Sequence, residues 1–169
     1  MDLNFFHRIL SVDSTSGKEA ELADILAVEL DAPGRKVEVF EVGDGTRNVL
    51  VSWGTPKVIF CTHLDTVPPY IPPVFEESVV RGRGSADAKG QIFAMYEACL
   101  ELDRRGYDDF GLLLLSGEET GSFGAKAFAG QCGKEYDTVI VGEPTDNCMA
   151  SAAKGTKAFE VTFTGKACH

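Results

Sequence analysis

Three short apolar runs in this chain each end in side chains that can bind a proton or a metal ion, and this restricts the folds open to it. Residues 58–65 read Val-Ile-Phe-Cys-Thr-His-Leu-Asp, and residues 112–115 are leucines leading into Ser116, Gly117, Glu118 and Glu119. Residues 138–141, Thr-Val-Ile-Val, lead into Gly142 and Glu143. Short apolar runs of this kind are the pattern of strands buried on both faces in a parallel sheet covered by helices. The binding crevice of an open α/β sheet lies beyond the carboxyl ends of its strands, so His63, Glu118, Glu119 and Glu143 are expected to converge on one site.

His63 is the first metal-ligand candidate. Side chains on a strand alternate faces, so Asp65 points the same way as His63 if the strand continues. It can then hold the second ring nitrogen, as carboxylates behind metal-bound histidines do. The plainer alternative is a hydrogen-bonded core histidine beside a turn-forming aspartate. Glu118 and Glu119 could likewise be an ordinary solvated pair, although they cap an apolar run rather than lie in a run of charges. Asp87 joins the set from a glycine-rich stretch, 82–90, that lacks the spacing of a phosphate-binding loop and reads as a tight turn opening a helix.

The remaining segments supply the layers around such a sheet. Leu3, Phe6, Ile9 and Leu10 share a helical face, and Leu22, Ile25, Leu26 and Leu30 form the stripe of a second helix. Ser16 and Glu19 have the spacing of a capping box for that helix. Val37 and Val39 alternate with Glu38 as a half-buried strand that pairs with 49–51 across Gly43-Asp44-Gly45, and 74–83 reads as a small strand or hairpin. Ile92, Met95, Tyr96 and Cys99 predict a helix over 90–102, and another is expected over 123–129. Residues 158–164 alternate as a further strand. Strands alternating with helices make an α/β fold.

A formal charge of −10, from 26 acidic and 16 basic residues, argues against nucleic acid or an anionic membrane as partner. Five cysteines without a Cys-x-x-Cys pair indicate reduced thiols and a cytoplasmic protein rather than a disulfide framework or thiolate zinc site. The N-terminus lacks the apolar core of a secretory signal, and no run approaches the roughly 20 apolar residues of a membrane helix.

Four motifs in order, His-Leu-Asp-Thr-Val-Pro (63–68), Gly-Arg-Gly-Ser-Ala-Asp-Ala-Lys-Gly (82–90), Gly-Glu-Glu (117–119) and Gly-Glu-Pro-Thr (142–145), carry a family resemblance. Together they resemble the zinc metallopeptidases and deacylases that include acetylornithine deacetylase, succinyl-diaminopimelate desuccinylase, aminoacylase and carboxypeptidase G. The resemblance implies a zinc-exopeptidase-like α/β fold, with a mixed central sheet flanked by helices. It also implies two zinc ions, replaceable by cobalt or manganese: His63 and Glu143 on one, Glu119 on the other, and Asp87 bridging them. Asp65 would orient His63, Glu118 would be the general base, and the Asp87-Ala88 peptide would be cis. Gly-Lys-Ala-Cys-His (165–169) resembles the start of an inserted lid and dimerisation domain, where His169 would bind the substrate carbonyl.

The expected organisation is therefore a catalytic portion over 1–152 and the beginning of a lid over 153–169, with the chain stopping before the histidine that completes the second zinc site. The expected activity is removal of an acyl group from an N-acyl amino acid, as in acetylornithine deacetylation for arginine biosynthesis, by a cytoplasmic homodimer. A dipeptidase or carboxypeptidase, or a succinyl-diaminopimelate desuccinylase, would use the same site. A non-catalytic fragment that binds metal weakly or not at all is the alternative from another class.

Overall fold

The computed structural model describes residues 2–155 and 159–166. In chain order the elements are α1 (Leu3–Leu10), α2 (Ala20–Glu29), β1 (Arg35–Gly43), β2 (Thr46–Gly54), β3 (Val58–His63), β4 (Val74–Phe75), β5 (Val80–Arg81), α3 (Lys89–Arg104), β6 (Asp109–Leu115), α4 (Phe123–Gln131) and β7 (Thr138–Val141). The main sheet has the order β1-β2-β6-β3-β7. β1, β2 and β6 pair antiparallel, whereas β3 runs parallel to both β6 and β7. The sheet is thus mixed, and helices cover both of its faces. β4 and β5 form a separate small hairpin.

Period-two alternation sorts the strand residues between two apolar layers. Val49, Val51 and Trp53 of β2, with Phe110, Leu112 and Leu114 of β6, face the side covered by α1, α2 and α3. There they meet Ile9, Leu10, Leu22, Leu26, Leu30, Ile92 and Cys99, all fully buried. Leu50, Ile59, Cys61 and Leu113 face the opposite way, against Phe128 of α4. Each fully buried leucine or isoleucine contributes about 1.5–3 kcal/mol, which makes the larger layer the main source of stability.

The parallel register decides where function can sit. His63 pairs with Leu115, and Cys61 with Val141, so β6, β3 and β7 all end on one edge of the sheet. The segment between α1 and α2 is drawn to the same edge. Ser14 Oγ donates to the backbone oxygen of Leu64 at 2.7 Å, Thr66 N to Ser14 O at 3.0 Å, and Ser16 N to Thr66 O at 3.1 Å.

Three local expectations change. Ser16 and Glu19 form no capping box, because α2 begins at Ala20 and Glu19 makes no side-chain cap bond; both side chains turn to the strand-end edge instead. β3 stops at His63, yet a turn through the buried Leu64 still returns the Asp65 carboxylate to the imidazole. Residues 159–164 are not a strand, and Ala158 lies outside the described residues. Alternation supplies a face but not a ladder. No neighbouring strand pairs with this segment among the described residues, and Phe159 and Phe163 are 86% and 90% exposed.

Candidate metal centre

The strand ends and the loop before α3 bring His63, Asp87, Glu118, Glu119 and Glu143 together. Candidate ligand atoms of His63, Asp87 and Glu143 lie within 4.8 Å of one another, as do those of His63, Glu118 and Glu119. His63 is common to both groups. The position expected to be shared, Asp87, falls in one of them alone. The Asp87-Ala88 peptide is cis, as the resemblance implied. His169 lies outside the described residues.

The imidazole is held in one tautomer. Its Nδ1 is 2.9 Å from the backbone oxygen of Asp65 and 3.3 Å from Asp65 Oδ1. A carbonyl oxygen can only accept, so Nδ1 carries the proton and Nε2 of the neutral ring presents a lone pair. That lone pair faces two further acceptors, Asp87 Oδ1 at 3.1 Å and Glu143 Oε1 at 3.9 Å. Acceptors turned on one another in this way are reconciled by a proton on Nε2 or by a cation among them.

The electrostatics agree with that geometry. Burial opposes charge on His63, but the hydrogen bond and charge of Asp65, with Glu143 and Asp87, push its pKa up to about 9. Burial raises the pKa of Glu119, and the neighbouring Asp87 adds to it. Burial also raises the pKa of Glu143; His63 opposes the shift, while Asp87, Glu118 and Glu119 reinforce it. A divalent cation would neutralise this crowding, and one imidazole with several carboxylates is a donor set that suits zinc. The residues present therefore fit such an ion.

Asp65 does more than orient the imidazole. Its Oδ1 accepts from the backbone N–H of Glu118 at 2.9 Å, and its Oδ2 from Glu119 N–H at 3.1 Å and Ser16 Oγ at 2.9 Å. Burial disfavours its charge, but His63, the Glu118 amide and Ser16 hold its pKa below the ordinary carboxylate value. Beside the acidic group lies a cleft of about 570 Å³, bordered by Ser85, Gly90, Gln91, Met95, Glu143 and Asn147.

The family model for peptidase family M20/M25/M40 matches residues 59–166. This chain belongs to that family. A peptidase M20 domain-containing protein of Schizosaccharomyces pombe is 35% identical over 170 residues, covering 95% of this chain and 42% of that protein. A probable carboxypeptidase of Aspergillus terreus is 35% identical over 188 residues, covering 99% of this chain and 43% of its own length. Among solved structures, a tripeptidase from Staphylococcus aureus superposes with a TM-score of 0.70 at 25% identity, over 82% of this chain and 42% of its own. The M20 chain thus spans less than half the length of these relatives, and its ancestry is that of metallopeptidases.

Ser16 bonds to Asp65, and Glu19 and Asn48 bond to the backbone that leads into Glu118; the spacing of Ser16 and Glu19 suggests a helix cap instead, and Asn48 is absent from the sequence-predicted site. Glu19 was absorbed into an apparent helix cap. Asn48 carried a legible signal, since asparagine is disfavoured in strands yet stands here next to Val49-Leu50-Val51.

Among the described residues, no helix is long and apolar enough to cross a membrane.

Proposed function

We propose that the protein is a metal-dependent peptidase of the carboxypeptidase type, which hydrolyses the amide bond next to a free carboxylate. One observation carries this reading: His63 Nε2 faces Asp87, from the loop before α3, and Glu143, from the end of β7, with Glu118 and Glu119 alongside. In this reading His63, Asp87 and Glu143 would hold one ion, and Glu119, with Asp87, would help hold a second. When bound, zinc would polarise the substrate carbonyl and lower the pKa of the attacking water.

The chain's own groups do the rest. Asp65 keeps the proton on His63 Nδ1 and so keeps Nε2 available as a donor atom. Glu118 takes a proton on a carboxylate oxygen from the attacking water and returns it to the leaving amine nitrogen. The cleft beside Glu143 is large enough for a dipeptide-sized ligand. The proposed division keeps residues 1–152 as the catalytic portion, with a lid starting at 153.

The relative named a probable carboxypeptidase favours peptides over the acetylornithine deacetylase that the motifs first suggested. An N-acyl amino acid presents the same amide beside a carboxylate, so one assay compares the classes. Release of the C-terminal amino acid should be measured from N-blocked dipeptides, free dipeptides and N-acetyl-ornithine, with zinc and after chelation. Zinc-dependent release from the peptides is expected, with Glu118→Gln slower by at least about 10²-fold, the usual scale of general acid–base catalysis. Turnover of N-acetyl-ornithine alone would replace the peptidase reading with the deacylase one.

A further inference from the structure

The loop that follows β6 carries Glu118 and Glu119, and its backbone is gripped by side chains. Four successive amides each donate to a side chain from another part of the chain. Ser116 N–H donates to Asn48 Oδ1 at 2.9 Å, and Gly117 N–H donates to Glu19 Oε1 at 3.1 Å. Glu118 and Glu119 N–H donate to the two oxygens of Asp65. Asn48, Glu19 and Asp65 are each 0% exposed. They arrive from β2, from the residue before α2, and from the turn after β3.

Glu19 is the one of the three that holds neither His63 nor α4; apart from Gly117, its carboxylate meets only the amides of its own turn, Gly17 and Glu19, among the described residues. Asp65 also holds His63, and the Asn48 amide group also donates to Gly124 O at 2.9 Å, at the start of α4. Glu19 caps no helix with its side chain and belongs to neither acidic cluster. A carboxylate is an unfavourable group to bury unless its hydrogen bonds repay the loss of water. Outside its own turn, its hydrogen bond runs through Oε1 to Gly117, a residue at φ +65° from which the loop turns into Glu118.

We infer that Glu19 is a positioning residue: by pinning the Gly117 amide it sets where the Glu118 and Glu119 carboxylates emerge beside His63. The inference deepens the metal-dependent peptidase reading and rests on it for the role of Glu118. What Glu19 supplies is an acceptor at a fixed place rather than a charge. Glutamine keeps that acceptor, leucine removes it, and aspartate withdraws it by one methylene.

The test is calorimetric titration of the metal-free protein with Zn²⁺, together with kcat and KM on the best peptide, for Glu19→Leu, Glu19→Asp and Glu19→Gln. Loss of a group that orients metal ligands weakens metal affinity or activity by about 10–100-fold, and this is expected for leucine and aspartate, with the kinetic loss in kcat rather than KM. Glutamine should keep both closer to the parent than the roughly 10-fold lower end of that range. If the leucine protein does not fold, the aspartate and glutamine proteins decide. Zn²⁺ affinity and kcat unchanged in a folded leucine or aspartate variant would overturn the inference, as would a glutamine variant as impaired as the others. If the parent hydrolyses no peptide but binds Zn²⁺, the functional proposal fails separately and the titration still decides the role of Glu19.

Discussion

Replacing Asp65 with asparagine should destabilise the metal-free protein, by an amount that follows from its hydrogen bonds. The carboxylate accepts from Glu118 N–H and lies 3.3 Å from His63 Nδ1 through Oδ1, and it accepts from Glu119 N–H and Ser16 Oγ through Oδ2. Asparagine offers one oxygen and one NH₂. In either orientation the NH₂ faces a buried backbone N–H, so at least one amide is orphaned, at about 1–3 kcal/mol. The amide that keeps an oxygen exchanges a charged acceptor for a neutral one, which roughly halves that bond and costs about 1 kcal/mol more. Neutralising a buried group works in the other direction, but the depressed pKa of Asp65 says that its surroundings favour the ionised form on balance. The net expectation is a loss of about 2–4 kcal/mol, a large part of the 5–15 kcal/mol that holds a domain together. Urea unfolding in EDTA, followed by the fluorescence of Trp53, the one tryptophan and 1% exposed, measures it. Asp13→Asn is the control, because the Asp13–Lys18 pair is exposed and worth less than about 1 kcal/mol. A loss at Asp65 below about 1 kcal/mol, comparable with the control, would refute the argument that this carboxylate organises the loop.

Three further outcomes follow from the same structure. Zn²⁺ at about 100 times its dissociation constant should stabilise the protein by about 2.7 kcal/mol, and EDTA should reverse the gain; no shift in the thermal midpoint would remove the metal centre from the picture. The hydrogen bond from Lys18, and then the Thr15 amide, holds the Asp13 carboxyl at about 2. Because that value is depressed, its small stabilisation is present above the unfolded pKa of about 3.9 and is lost as pH falls through about 2, so the parent and Asp13→Asn stabilities should converge there. Burial pushes Cys61 and Cys99 up to about 12, whereas Cys148 is exposed, so a thiol reagent at pH 8 should label Cys148 in the folded protein and reach Cys61 and Cys99 only on unfolding.

The strand ends were legible because one physical constraint acted alone there. A buried strand has no local use for a charged group, so His63, Glu118 and Glu143 stood out against the apolar runs before them. Asp87 had only a glycine-rich turn to announce it, and the motif order located it. The Ser16–Glu19 pair was misread because a capping box and a long-range amide clamp share one local spacing; what separates them is the fold, which lays residues 14–16 along 64–66. Residues 159–164 failed for the complementary reason. Alternation describes a face, and a strand also needs a hydrogen-bonding partner.

The same network makes the two candidate clusters one structure. His63 is the ring common to both, and Asp65 holds that ring through Nδ1 while holding Glu118 and Glu119 by their amides. A shift of the ring large enough to admit a different ligand geometry must therefore displace Asp65 or break its bonds to the loop. A shift of the loop must likewise pull on Asp65 and so on the ring. The sheet supplies the reference for both movements, because His63 is bonded into the β3–β6 ladder opposite Leu115 and the loop begins at the next residue. Affinity at one cluster should thus depend on the integrity of the other, and the coupling should pass through the Asp65 carboxylate rather than through direct contact between carboxylates.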